Sequence, residues 1–273
     1  MHAPTARVFR RESAGQLLAF AVLLLMAVFF GLPIVWAVVE ALGAAEGRWL
    51  VNSLFYSSAG ALIAVALCIP AGYGLATHDF PGRRALLILT ILVMLIPPSA
   101  LVLPLFLEAH AAHLVTSPLA VILPYGLFPL GVYLAYLYFH TARFNVLLET
   151  ARTDGCSEWR VFRRIALPIA VPVAVLIAFL DFVASWTNFF LPWVMYWSLD
   201  ATSRYPISLG IALQLSNGEA TGPYVGLLQL HTTSPPGSIA FLLLLSIAPV
   251  LVVFGVAQRW IGSGQVQGIG LFR

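Results

Sequence analysis

Apolar residues gather into six long runs separated by short polar stretches. They cover roughly Leu17–Val39, Leu54–Ala76, Ala85–Leu107, Leu119–Phe139, Leu167–Trp197 and Ser238–Gln258. A helix needs about 20 apolar residues to cross the hydrocarbon core of a bilayer. Helix also satisfies each backbone N–H and C=O internally, which lipid cannot do. Each run therefore predicts one span, and the fold class is an all-α polytopic membrane protein with six transmembrane helices. Leu17–Val39 is longer than the roughly 7–15 residues of a signal-peptide core, so it reads as an uncleaved first span. The chain divides into a tail at 1–16, a transmembrane domain at 17–258 and a second tail at 259–273. Prolines interrupt the runs at Pro33, Pro70, Pro97, Pro98, Pro104, Pro124, Pro129, Pro192 and Pro249. Each removes a backbone donor, so the helices must pack against protein or a wet cavity near the breaks.

Composition agrees: 60% of the 273 residues are hydrophobic, 9% are charged, and the mean hydropathy is +0.94. A soluble domain carries roughly 25% charged residues. All 14 basic residues are arginine. Without lysine there is no Schiff base and no GxxxxGK[ST] phosphate loop, so any ATP is bound by another subunit. The arginines also set the topology. With the N-terminus inside, Arg7, Arg10, Arg11, Arg83, Arg84, Arg143, Arg152, Arg160, Arg163, Arg164, Arg259 and Arg273 fall on the inner side, against Arg48 and Arg204 outside. That bias places both termini in the cytoplasm and the chain in the cytoplasmic membrane. The arginines flank spans instead of forming a basic soluble face, so no nucleic-acid partner is expected. Cys68 and Cys156 cannot build a disulfide framework or a zinc site. His110 and His113 lack the acidic or thiolate companions of a metal centre, so no metal is expected. The longest outer segment, 198–237, contains the turn-rich stretches SNGEATGPY and TTSPPG. It reads as a contact for an external partner or as a passive connection.

The stretch ETARTDGCSEWRVFRRIALP, from Glu149 to Pro168, holds four of the 14 basic and three of the 11 acidic residues. It belongs to the cytoplasmic loop 141–168 between the fourth and fifth runs. Phe144, Leu147, Leu148 and Ala151 recur at helical spacing, as do Trp159, Phe162, Ile165 and Ala166, with Arg160, Arg163 and Arg164 facing away from the second stripe. Gly155 suits the left-handed turn that ends a helix, and Ser157 suits the cap of the next. Pro168 and Pro172 mark the first turn of run five. The loop is predicted to be helix, tight turn, helix: either an amphipathic element at the lipid or water surface, or a knob for a partner.

Within run five, Asp181, Ser185 and Asn188 share one helix face. A carboxyl group deep in an apolar span is a functional candidate. Three readings are open: a solute path suited to sugar hydroxyls, a helix–helix hydrogen bond, or a pair with an arginine of a partner subunit. Trp186 offers the path an apolar face, whereas Trp193 and Trp197 sit where an aromatic belt is expected. An ion-coupled secondary transporter would use Asp181 as its cation or proton site. Such folds show inverted repeats and paired charges, and the sequence has no internal repeat and one deep carboxyl. No H-E-x-x-H, G-x-S-x-G or intramembrane aspartate pair marks an enzyme.

Glu149, Ala151, Gly155, Ile165, Leu167 and Pro168 fall in register with the pattern E-A-A, three residues, G, nine residues, I-x-L-P, with Thr150 in place of the middle residue and Cys156 at a usually small position. The stretch thus resembles the EAA loop of ABC importer permeases. Asn52-Ser53, Ala71 to Ala76 followed by Phe80-Pro81-Gly82-Arg83, and Ser185 to Phe189 resemble further segments of the carbohydrate-uptake class, that of the smaller maltose-transporter permease. Ala257-Gln258-Arg259-Trp260 with Gly264 and Gly268 resembles the C-terminal tail of that class, without its usual Lys-Gly ending. The resemblance implies a coupling helix in which Glu149, Ala151, Asp154, Gly155, Trp159, Phe162, Ile165, Leu167 and Pro168 meet an ATPase, with Gly264 and Gly268 as a tail contact. It implies a heterodimer with a second permease, two ATP-binding cassette subunits carrying ATP and Mg, and an extracytoplasmic solute-binding protein. No cofactor and no catalysis are expected on this chain. Asp181, Ser185, Trp186 and Asn188 are the expected substrate path. The expected solute is a sugar or oligosaccharide, with glycerol-3-phosphate or a glycerophosphodiester as the alternative. A negatively charged solute would be disfavoured beside Asp181 unless an arginine lies close.

Overall fold

A computed structural model describes residues 45–196, 203–216 and 236–261, all of them helical or in turns and connections. The first run, Leu17–Val39, the tail at 1–16, Gly264, Gly268 and much of the outer segment 198–237 lie outside those residues. The described helices are α1 (Ala45–Thr77), α2 (Arg83–Met94), α3 (Pro98–Ala111), α4 (Leu119–Gly126), α5 (Pro129–Phe139), α6 (Ala142–Thr153), α7 (Glu158–Ile169), α8 (Val171–Thr187), α9 (Phe190–Met195), α10 (Ile207–Ser216) and α11 (Pro236–Ile261).

Helix α1 is the central post, packed on α4, α5 and α8. Lipid gives little hydrophobic drive between apolar helices, so small residues that allow close backbone approach do much of the joining. Here Gly72 faces Ala135, and Gly131 faces the Cys68 sulfur. A Cβ on Gly72 would lie 2.3 Å from the Ala135 Cβ and 2.7 Å from the Tyr136 backbone nitrogen. At its other end α1 straps the segment before α10. Asn52 donates to the carbonyls of Ser203 (2.8 Å) and Tyr205 (3.1 Å), and the Ser53 hydroxyl accepts from the Ile207 N–H at 2.7 Å. The Tyr56 hydroxyl donates to the Arg204 carbonyl, whose guanidinium in turn reaches the Thr116 carbonyl.

The spans are more broken than the apolar runs imply. Ala85–Leu107, expected as one helix, is two: α2 and α3 meet at 105°. The cause is Pro97-Pro98, because a residue before proline is driven out of the helical region. Pro97 itself is extended (φ −62°, ψ 132°). Run five is three helices, with a 67° bend between α7 and α8 and a second break at Asn188 (φ −77°, ψ 116°) before α9. Leu119–Phe139 keeps its expected ends and is joined from α4 and α5 through Leu127 and Phe128, ahead of Pro129. Among the described residues, two helices are long and apolar enough to cross a membrane, or up to four if each bent pair counts as one span. Helix α2 buries none of its residues in the bundle. Its exposed Leu86, Ile88, Leu89 and Leu92 form an apolar face for lipid or a neighbouring subunit.

Candidate functional site: a helical knob and a half-open pocket

Helix α6 ends in a double hydrogen-bonded turn. The Cys156 N–H reaches the Ala151 carbonyl (3.1 Å), and the Gly155 N–H reaches the Arg152 carbonyl (3.0 Å). This is the Schellman arrangement, which needs a left-handed residue just past the cap. Gly155 supplies it at φ +78°. Ser157 occupies the cap position of α7, but its side chain makes no capping hydrogen bond. The helix, tight turn, helix form therefore stands, and the glycine sets its angle.

The two helices bury a different set of positions from the expected stripes. On α6, Phe144, Leu148 and Ala151 go inward, while Val146 (64% exposed) and Leu147 point out. On α7, Val161 and Ala166 are fully buried and Trp159 is 67% exposed. The reason is a π-helical turn at Phe162–Ala166, in which the Leu167 N–H bonds the Phe162 carbonyl. A wider turn places residues five apart on one side, so Val161 pairs with Ala166. Phe162 and Ile165 are half-buried against the core, and the Phe162 ring lies 5.8 Å from that of Trp159. Glu149, Asp154, Leu167 and Pro168 are exposed, as are Arg160, Arg163 and Arg164.

Two sets of contacts fix the knob to the bundle. The Arg152 guanidinium donates to both carboxylate oxygens of Glu158 (2.8 and 3.2 Å), bracing α6 against α7 across the turn. Those hydrogen bonds hold the Glu158 carboxyl below its ordinary range and raise Arg152. His78, just past α1, approaches the same carboxylate at 3.7 Å. The Tyr73 ring packs on Phe139, Phe144, Phe162 and His78, joining α1, α5, α6 and α7 in one aromatic cluster. The Tyr138 hydroxyl donates to the Ile169 carbonyl at 2.6 Å.

Between the broken helices lies a half-open pocket of about 470 Å³, called the chamber below. Asp181, Ser185 and Asn188 all line it, as their shared helix face predicted. Asp181 is 2% exposed, and its Oδ2 has no hydrogen-bond partner among the described residues. Asn188 is held in place: its Oδ1 accepts from the Leu191 N–H (3.2 Å), and its carbonyl accepts from Ser208 (3.0 Å) and Tyr125 (3.4 Å). Trp186 is elsewhere. It stacks on Phe182, and its Nε1 donates to the Ser246 carbonyl of α11 at 2.9 Å, so it joins two helices instead of lining the chamber. The sequence did not single out Tyr125 or Phe128 for this chamber. Their one signal was the proline pair Pro124 and Pro129 that brackets them.

A bundle of proline-broken apolar helices with a helical knob and a polar-tipped pocket is the architecture of a polytopic membrane protein. Comparison with known proteins gives the particular family. The profile described as "Binding-protein-dependent transport system inner membrane component" matches residues 68–266. The arabinooligosaccharides transport system permease protein AraQ of Bacillus subtilis (strain 168) is 29% identical over 221 residues, covering 81% of this chain and 72% of its own. The trehalose transport system permease protein SugB of Mycobacterium tuberculosis (strain CDC 1551 / Oshkosh) is 30% identical over 221 residues, covering 80% and 75%. A chain of a bacterial ABC transporter involved in import of the acidic polysaccharide alginate shares the fold, with a TM-score of 0.64 at 20% identity over 95% of this chain and 98% of its own. The protein belongs to the family of binding-protein-dependent transport system inner membrane components. It is a permease of an ABC importer, and its relatives are permease subunits rather than enzymes.

Proposed function

We propose that this chain is one of two permeases in an ATP-driven importer of a sugar or oligosaccharide. It spans the inner membrane six times with both termini in the cytoplasm, and ATP and Mg reside on two ATPase subunits below. A solute-binding protein delivers cargo from outside. The observation that carries the coupling role is the knob. A glycine-terminated turn and an Arg152–Glu158 brace present Glu149, Asp154, Trp159 and their neighbours as one rigid surface, and exposed Val146, Leu147 and Trp159 give it an apolar centre. Aromatic anchors with an apolar core and polar rim are what protein partners select. ATPase closure would push this surface, and the aromatic cluster around Tyr73 would pass the motion to α1. ATP and solute each act only through different affinities for the inward- and outward-facing states. The tail glycines Gly264 and Gly268 would add a second ATPase contact.

The sugar assignment draws on the relatives named for arabinooligosaccharides and trehalose. The test is thermal stabilisation of the binding protein that co-purifies with this chain, using arabinotriose, trehalose, diacetylchitobiose and glycerol-3-phosphate as probes. Stabilisation by one of the three sugars is expected. Stabilisation by glycerol-3-phosphate alone would remove the sugar assignment.

A further inference from the structure

A second half-open pocket, of about 640 Å³, lies between the start of α2 and Tyr136 of α5, and Asp79, Arg83 and Arg84 supply its charge. His78, one residue ahead of it, approaches Glu158 of the knob at 3.7 Å. The pocket is therefore at the knob end of the bundle, the side on which the arginine bias puts the cytoplasm. Its charges do not balance. The Arg83 guanidinium donates to Oδ1 of Asp79 and to the Ala76 carbonyl (3.4 Å), so that pair is mutually satisfied. Arg84 is exposed and has no ion pair or side-chain hydrogen bond among the described residues. The Tyr136 ring stacks on His140 at 5.1 Å along the same wall. Directly beyond the arginines, α2 buries none of its residues, and its exposed Leu86, Ile88, Leu89 and Leu92 continue for about 12 Å at 1.5 Å per residue. A charged pocket followed at once by a bare apolar helix face is the profile of a headgroup layer above hydrocarbon.

We propose that this pocket binds an anionic phospholipid of the cytoplasmic leaflet, with Arg84 holding its phosphate and the apolar face of α2 covered by an acyl chain. Two guanidinium groups against one carboxylate leave the pocket net positive, and that carboxylate is already engaged by Arg83. A guanidinium presents N–H donors in a fixed fork that matches phosphate oxygens. Basic pockets between helices on the cytoplasmic side are a recurring form of anionic headgroup recognition, and tyrosine is enriched at that depth. The apolar face favours a lipid over free phosphate, because free phosphate leaves it uncovered. The chain's own N-terminal tail is a poor occupant: Arg7, Arg10 and Arg11 against Glu12 give it the same sign as the pocket. Helices α2 and α5 pack against each other here, so a bound headgroup would tie them together beside the His78 contact to the knob. The proposal rests on the inner-membrane location and on this end facing the cytoplasm, and it is independent of the solute carried.

The test is native mass spectrometry of the complete importer, stripped of lipid in detergent and titrated with dioleoylphosphatidylglycerol, dioleoylphosphatidylcholine or inorganic phosphate. The same spectra show whether each variant still assembles with its partner subunits. Saturable binding of phosphatidylglycerol is expected, with phosphatidylcholine and inorganic phosphate bound at least about tenfold more weakly. Arg84→Gln should raise the phosphatidylglycerol dissociation constant by about tenfold, the factor expected for one lost hydrogen bond to a charged group. Arg84→Lys, which keeps the charge without the fork, should recover part of that affinity. Arg259→Gln removes an exposed arginine on the same side but outside the pocket, and should bind as the wild type does. Wild-type affinity in Arg84→Gln, or an equal loss in Arg259→Gln, would overturn the site. Equal binding of phosphatidylcholine would remove the preference for an anionic headgroup, and equal binding of inorganic phosphate would make this a free-phosphate site; either overturns the proposal. Absence of saturable phosphatidylglycerol binding to the assembled importer would overturn it too, and would assign the face of α2 to another subunit.

Discussion

Gly155 is the residue on which the knob turns. Its φ of +78° is left-handed, while an added Cβ would meet no atom within 4 Å. The constraint is conformational and not steric. A β-branched residue in that region carries a penalty of about 1–2 kcal/mol, whereas Asn tolerates it better. Gly155→Val should lower co-purification of the ATPase in detergent by about tenfold, the factor that about 1.4 kcal/mol represents, and Gly155→Asn should retain most of it. Equal loss in both variants would show that the side-chain surface, and not the turn, governs docking. Glu158 gives a pH signature. The Arg152 hydrogen bonds hold its folded pKa below the unfolded one, so the brace is fully present above the ordinary Glu value of about 4.3. It is lost as pH falls through the lower folded value. Both side chains are partly exposed (37% and 49%), and such pairs contribute about 0–1 kcal/mol. Limited proteolysis between α6 and α7 should therefore stay slow from neutral pH to the mildly acidic range and speed up slightly only below it. Glu158→Gln should remove that acid step, and an unchanged acid profile in this variant would assign the step to another group.

At the scale of elements, α1 is held by contacts that leave no room for a methyl group. Gly72→Ala must separate α1 from α5, because the obstacle includes the Tyr136 backbone as well as the Ala135 side chain. Overpacking of this kind costs about 1–3 kcal/mol. A lowered melting temperature of the purified protein is expected, and wild-type stability would mean that the two helices are not in this contact. How far the elements were legible follows from the same physics. Apolar runs fix where chain lies in lipid, and Leu119–Phe139 ended where its hydrophobicity ended. Hydropathy does not record direction, so Ala85–Leu107 read as one helix although Pro97-Pro98 turns it by 105°. Period 3.6 found Phe144, Leu148 and Ala151 on α6 but also included Leu147, which points out, and it missed Val161, because the π turn after it changes the period. The face shared by Asp181, Ser185 and Asn188 was readable since α8 is regular over those residues up to its end. Trp186 was not placed, because only the packing of α11 decides which way a neighbouring side chain goes.

At the scale of the molecule, the knob, the aromatic cluster and the chamber lie on one connected path. Tyr73 and His78 tie the loop to α1, α1 packs on α4, α5 and α8, and those helices line the chamber with Asp181 among them. In the proposed importer, a push on the knob would reach the pocket through these packed helices. The chain has no lysine, and in the proposed importer the energy for that push comes from the ATPase subunits. The most direct measurement is uptake of labelled neutral oligosaccharide into proteoliposomes, with and without the ATPase subunits, binding protein and ATP. Uptake that requires all three, and is indifferent to an imposed proton or sodium gradient, is the predicted result. Uptake by this permease without the ATPases, driven by an ion gradient alone, would contradict the account.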